Sequence, residues 1–240
     1  MKTKIHKHKK AIRMNGSKKL FLAAMVSFSF LNCNSTQKTV AAEPSRTVEN
    51  SAVRSPEQGL PVPHGIGFFK DYMDESYTNL EKAVKGLTPG QLAFKPSEDR
   101  WSIAECLEHI VLTEPELTEY EKAIMAAPAN PEKRNEVKLT DDKVMSMMLD
   151  RSHKAKASEN ITPHGKYTES ETALADLKRQ RVDIMQYVNT LSMEDLRNHI
   201  TDSPMGKIDA YQFLLFIPGH TMRHTLQILE VKTDPNFPKN

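Results

Sequence analysis

In this chain of 240 residues the side chains best equipped for chemistry are histidines. His220 and His224 stand four apart in FIPGHTMRHTLQI, and His109 ends the segment WSIAECLEHI. On a helix, positions i and i+4 share one face about one turn apart. Wheeling the segment at about 100° per residue puts both rings inside an apolar stripe of Phe213, Phe216, Ile217, Ile228 and Val231. An imidazole removed from water must hydrogen-bond or coordinate, and two adjacent ones cannot both carry charge cheaply in a dry core. Neutral imidazoles at this spacing deliver half of a site for Zn, Ni, Cu or Fe. Two ligands seldom suffice, and with nine histidines in the chain such a pair also arises by chance. Packing and ligation therefore both stay open for the pair.

A third histidine on another helix would decide between them, and His109 is the candidate. Its own helix carries a stripe of Ile103, Cys106, Leu107, Ile110 and Val111, with His109 on the flank. Periodicity leaves that flank facing either the interior or solvent. Around these residues, Gln227 lies on the stripe of His224 and is the better candidate to support a ligand through a hydrogen bond. Glu105 and Glu108 lie within a turn of His109 and read equally as supporting, acid–base, capping or solvated groups. Cys106 reads as a small buried apolar residue rather than a ligand. The remaining histidines have plain readings: His6 and His8 in a basic leader, His64 in a linker, and His153, His164 and His199 as solvated residues in or beside loops.

The elements that must position these residues are helical. Apolar spacing of three and four predicts a helix from about Gly67 to Lys85 and another from Ser102 to Ala126, opened by a Ser102–Glu105 capping box. Pro115 predicts a kink or break in the second. A third helix is expected from Glu169 to about Thr190, and a fourth from Ile208 to Val231, interrupted at Pro218–Gly219. Residues 127–168 show little pattern beyond a short helix in DDKVMSMMLDRSH, and no strand alternation stands out. Four long amphipathic helices specify an all-α four-helix bundle.

The charge is uneven. Eight of the 33 Lys and Arg lie in residues 1–19, which hold no acid, leaving 25 against 31 Asp and Glu in the rest, a formal charge near −6. The basic surplus belongs to the leader, so nucleic acid is not expected as a partner. The leader continues into LFLAAMVSFSFL, too short to span a bilayer and suited to the apolar region of an export signal, with Met1 and Met14 both available as starts. Cys33 follows in FLNCNST, where a lipoprotein cysteine would stand, although Asn32 departs from the usual small residue. The expected organisation is a signal peptide over 1–33, a disordered flexible linker over 34–64 and a bundle over 65–234. Export, with membrane attachment through a lipidated Cys33 as one outcome, follows from it. Cys33 and Cys106 are the only cysteines, so no disulfide framework holds the domain.

Taken together, Trp101, Ser102, Glu105, Leu107 and His109, followed by His220, His224, Gln227 and Ile228, resemble the DinB-like (DinB/YfiT) superfamily of metal-binding four-helix bundles. The resemblance covers roughly Phe68 to Val231. It implies that His109, His220 and His224 form a three-histidine site for a divalent metal, usually Zn or Ni. It also implies one of two chemistries, hydrolysis by activated water or transfer of a low-molecular-weight thiol. Hydrolysis of a small-molecule substrate suits an exported chain better, because intracellular thiol pools are not expected there. A non-enzymatic module binding a metal or a partner is the competing reading, and pairing into a homodimer is an expectation of the resemblance. The export signal and the long insert over 127–168 depart from the family pattern.

Overall fold

The computed structural model describes residues 64–152 and 156–239. The expected signal peptide, Cys33, nearly all of the expected linker and His153 lie outside the described residues. Along the chain run α1 (Ile66–Val84), α2 (Pro89–Ala93), α3 (Ile103–Met125), α4 (Asp141–Leu149), α5 (Ser170–Val188) and α6 (Met193–Asn198). After them come the strands β1 (Ile200–Ser203) and β2 (Gly206–Asp209), then α7 (Ala210–Leu214) and α8 (Phe216–Lys232). The four long helices α1, α3, α5 and α8 form the bundle, in which α1 and α3 each pack against both α5 and α8. No described helix is long and apolar enough to cross a membrane.

Local sequence accounts for the starts. Ser102 and Glu105 make the expected capping box: Ser102 Oγ accepts from Glu105 N and Glu105 Oε2 accepts from Ser102 N, at 3.2 and 2.7 Å. Asp209 and Gln212 repeat it at α7, as do Thr88 and Gln91 at α2. Pro115 does not break α3, which runs unbroken from Ile103 to Met125 between the buried Val111 and Leu117. Packing on both sides of the proline outweighs the one lost hydrogen bond.

Two expectations for the last quarter of the chain are corrected. Ile208 belongs to a strand: β1 and β2 pair antiparallel, Ile200 opposite Asp209 and Ser203 opposite Gly206, closing a short hairpin. The helical interruption falls at Leu215, between α7 and α8, and not at Pro218–Gly219. Pro218 lies in the first turn of α8, where its missing N–H has no intrahelical partner to lose. A Cβ on Gly219 would stand 3.3 Å from the Met148 Cβ and 3.6 Å from the Tyr72 hydroxyl, so glycine lets α8 approach α4 and α1.

The interior has two apolar clusters with a polar layer between them. One gathers Phe69, Tyr72, Leu117, Ile184, Val188, Phe213 and Ile217; the other Leu80, Val84, Ile103, Leu107, Leu177, Ile228 and Val231. In the layer between, Arg181 on α5 donates to both carboxylate oxygens of Glu114 on α3, at 2.6 and 3.0 Å. It also donates to the Met73 carbonyl on α1 and, at 3.2 Å, to Thr221 Oγ1 on α8, which itself donates to Glu114 at 2.6 Å. One guanidinium thus ties all four helices, and Glu114 is fully buried.

Two of the plain histidine readings change as well. His199 is buried, its ring nitrogens on the carbonyls of Asp195 and Ala127, because the hairpin entry packs against the end of α3. His64 joins the fold, stacking on Phe68 at 3.7 Å and meeting Asp142 at 2.8 Å.

Removing one partner of a buried pair strands the other's charge. Glu114→Ala should therefore cost about 3–5 kcal/mol in urea unfolding, while Glu114→Leu combined with Arg181→Met should recover most of it. Glu121 is fully buried without a hydrogen bond among the described residues, and burial, then the charge of Asp209, pushes its carboxyl well above 4.5. The folded state therefore holds a proton that the unfolded chain gives up as pH rises past about 4.5, so this group subtracts stability above that pH. Glu121→Gln should raise the melting temperature at pH 7, at about 2–4 °C for each kcal/mol relieved. The gain should vanish as the pH is lowered towards 4.

Candidate metal centre

α3 brings His109 and α8 brings His220 and His224 to one place at the edge of the polar layer. The His220 Nε2 lies 3.1 Å from the Nε2 of His109 and 3.1 Å from that of His224. The three rings offer one ligand atom each, all within 4.8 Å of one another. His109 and His224 are buried and His220 is half-buried. The flank of α3 that carries His109 thus faces the interior.

Hydrogen bonds set the tautomers. His109 Nδ1 is 2.7 Å from the Ile161 carbonyl, which only accepts, so the ring proton sits on Nδ1 and Nε2 keeps its lone pair. His224 Nδ1 is 3.0 Å from Gln227 Oε1. Arg151 Nη1 donates to that same oxygen at 3.1 Å, and because Arg cannot accept, the amide orientation is fixed and His224 Nδ1 must carry the proton. His220 Nδ1 is buried with no partner among the described residues.

Two Nε2 lone pairs therefore aim at His220 Nε2. If that atom carried the proton, one hydrogen would serve two acceptors and the buried Nδ1 would be left as a bare acceptor. If it does not, three lone pairs converge with no hydrogen between them. A cation resolves the conflict: three nitrogens spread about one ion at ~2.0–2.1 Å lie roughly 3 to 3.4 Å apart. The donor set fits a divalent transition metal.

Electrostatics agree. Burial pushes His109 down to about 4, opposed by the Ile161 bond. Burial also pushes His220 and His224 well below the usual histidine range, with the neighbouring imidazoles and Arg223 adding to it. All three rings are neutral at pH 7, the form that ligates.

The other residues singled out from sequence have separate duties. Gln227 lies against His224 through the contact already described. Glu105 is occupied by the helix cap and by Lys95, 2.7 Å away, and holds no ring. Glu108 is buried and accepts the backbone N–H groups of His164, Gly165 and Lys166 at 2.8–2.9 Å, pinning the insert against α3. The turn there needs glycine, since Gly165 has φ of +85°. Cys106 is fully buried, and burial pushes its thiol up to about 12, so it is apolar filling. Sequence reasoning missed Ile161 and Arg151, both in the insert. A backbone carbonyl leaves no mark on side-chain identity, and Arg151 lies 76 residues before Gln227, so no local spacing pointed to the second. Trp101, the one tryptophan, stacks over the site with its ring centroid 4.6 Å from that of His109 and 6.0 Å from that of His224.

The family model of the DinB superfamily matches residues 72–228, well over half of the chain. An uncharacterized protein of Bacillus subtilis (strain 168), YuaE, is 26% identical over 152 residues, 62% of this chain and 88% of the relative. Among solved structures, YfiT from Bacillus subtilis, described as "a probable metal-dependent hydrolase with an unusual four-helix bundle topology", matches with a TM-score of 0.46 at 15% identity. The match covers 75% of this chain and 91% of that one.

Partners that fix a ligand's tautomer typically matter about 10–100-fold to metal affinity. Gln227→Leu should weaken Ni2+ binding by that factor, read from quenching of Trp101 emission, while circular dichroism stays unchanged.

Proposed function

This chain belongs to the DinB superfamily, and on that premise we propose that it is a metal-dependent hydrolase of a small-molecule substrate. The observation that carries the reading is the convergence of three neutral imidazole Nε2 atoms on the wall of a cavity of about 580 Å3. His109, His220 and His224 would hold the ion, with Zn2+ or Ni2+ as the expected occupants for an all-imidazole set. Once bound, the ion supplies Lewis acidity, easing deprotonation of water near neutral pH.

The chain's own residues do the rest. The Ile161 carbonyl and Gln227, the latter held by Arg151, keep two Nε2 lone pairs aimed at one point before any ion arrives, so little ordering is left to be done on binding. Trp101 roofs the rings, and Leu117, Phe213 and Phe216 give the adjoining wall an apolar surface that limits bulk water. The low proton affinity of the rings keeps them ligating down to mildly acidic pH. Export, with Cys33 lipidated, belongs to the same reading and rests on the amino-terminal sequence; the mass of the mature N-terminus tests it.

Metal analysis of the chain should find about one Zn or Ni per molecule, lost in His220→Ala. The loaded protein should hydrolyse members of a panel of esters, amides and phosphoesters, with turnover abolished by chelator and restored by metal. Stoichiometric metal with no hydrolysis but conjugation of a thiol to an electrophile would establish the transferase chemistry instead. Metal with neither would leave a binding module.

A further inference from the structure

The cavity runs along the seam between α3 and α8, and its two ends differ in chemistry. α3 and α8 pass the histidines in opposite directions, since the start of α3 shares an apolar cluster with the end of α8. Towards the hairpin the wall is Leu117, Tyr120, Phe213, Phe216 and Met205. The Phe213 ring lies 6.4 Å from Tyr120 and stacks on Phe216 at 5.2 Å. Asp202, the one carboxylate that lines that end among the described residues, is paired with Lys207 at 2.7 Å.

Beyond the histidines in the other direction the lining turns ionic: Arg100, Arg151, Lys156 and Arg223, with Asp99 and Glu230. Among the described residues, four cations there face these two carboxylates and that of Asp150. Glu230 alone answers two guanidiniums, accepting from Arg151 at 2.7 and 2.9 Å and lying 3.7 Å from Arg100. Arg223 is spent on the carbonyls of Met148 and Asp150, with the Asp150 carboxylate also near it. Lys156 is exposed and makes no ion pair among the described residues. A cavity with a surplus of cations and low-dielectric walls concentrates anions.

Resting on the hydrolase reading, we infer that the substrate class is an anionic amphiphile, an apolar acyl chain joined by an amide or ester to a carboxylate-bearing head. The chain lies against Leu117, Phe213 and Phe216, the head lies at Arg100, Arg151 and Lys156, and the bond to be cut lies at the histidines between. For an amide, water adds its oxygen to the acyl carbon and the C–N bond breaks. The acyl group leaves as a carboxylate, and both water protons end on the amine nitrogen as an ammonium.

Trp101 emission gives a test that needs no turnover. The full chain, with EDTA present, is titrated with N-lauroylglycine, with lauroylcholine, which keeps the chain and reverses the head charge, and with N-acetylglycine, which keeps the head and removes the chain. N-lauroylglycine should bind at least tenfold more tightly than either. Lys156→Glu, at an exposed position, should weaken it several-fold, and Met205→Asp, in the hairpin, should do the same from the chain end. Equal binding of lauroylcholine, or of N-acetylglycine, overturns the inference. Hydrolysis of short neutral esters by metal-loaded protein that ignores N-lauroylglycine also overturns it while leaving the hydrolase reading intact. Tight binding of N-lauroylglycine without cleavage of any panel member sustains the inference for the cavity and removes the hydrolase reading.

Discussion

The bidentate ion pair of Glu114 and Arg181 is the constraint on which the rest of the molecule depends. Apolar helix faces slide past one another at little cost, because one leucine contact resembles another. A buried carboxylate has no such latitude: it must meet its guanidinium within hydrogen-bond range or stand uncompensated in a medium of low dielectric. Arg181 also reaches the Met73 carbonyl and Thr221, so the axial register of all four long helices is set at one level. That level matters because Thr221 follows His220 in the chain, and Thr113, which donates to the His109 carbonyl at 2.7 Å, precedes Glu114. Setting α3 against α8 there is what makes His109 meet His220.

Above that register, the site is tuned by acceptors rather than by charge. A carbonyl from the insert and an amide oxygen on α8 each take an Nδ1 proton, turning both Nε2 atoms towards the third ring. Glu108, the residue before His109, anchors the insert through three backbone N–H groups, so α3 supplies both the histidine and the clamp that delivers its carbonyl partner. Burial then keeps the rings neutral. His220 Nδ1, buried without a partner among the described residues, is a polar atom whose burial costs stability at the meeting point of the three rings.

The segments that interrupt the bundle shape the approach to the rings. α4 and the stretch after it bring Met148 and Arg151 across α8, where Gly219 makes room, and the β1–β2 turn closes the apolar end of the cavity. The bundle thus holds the three rings, and the insert and hairpin shape the cavity beside them.

The bundle itself was legible in the sequence, because amphipathic period, capping boxes and the spacing of His220 and His224 are local properties that a helix expresses wherever it packs. Ser102 with Glu105 could start only a helix, and an i, i+4 pair on an apolar stripe had to put two imidazoles side by side. The hairpin of residues 200–209 was hidden because its strands span four residues each, too few for alternation to emerge. Whether His109 faced inward was beyond periodicity, since a flank position turns in or out according to which neighbour packs there. The Ile161 carbonyl was beyond any reading of residue types, because every residue carries one. Local order was determined by the sequence alone; the meeting of three rings, their tautomers and the two-ended cavity were decided only when long-range packing fixed one register out of several that the apolar faces would have allowed.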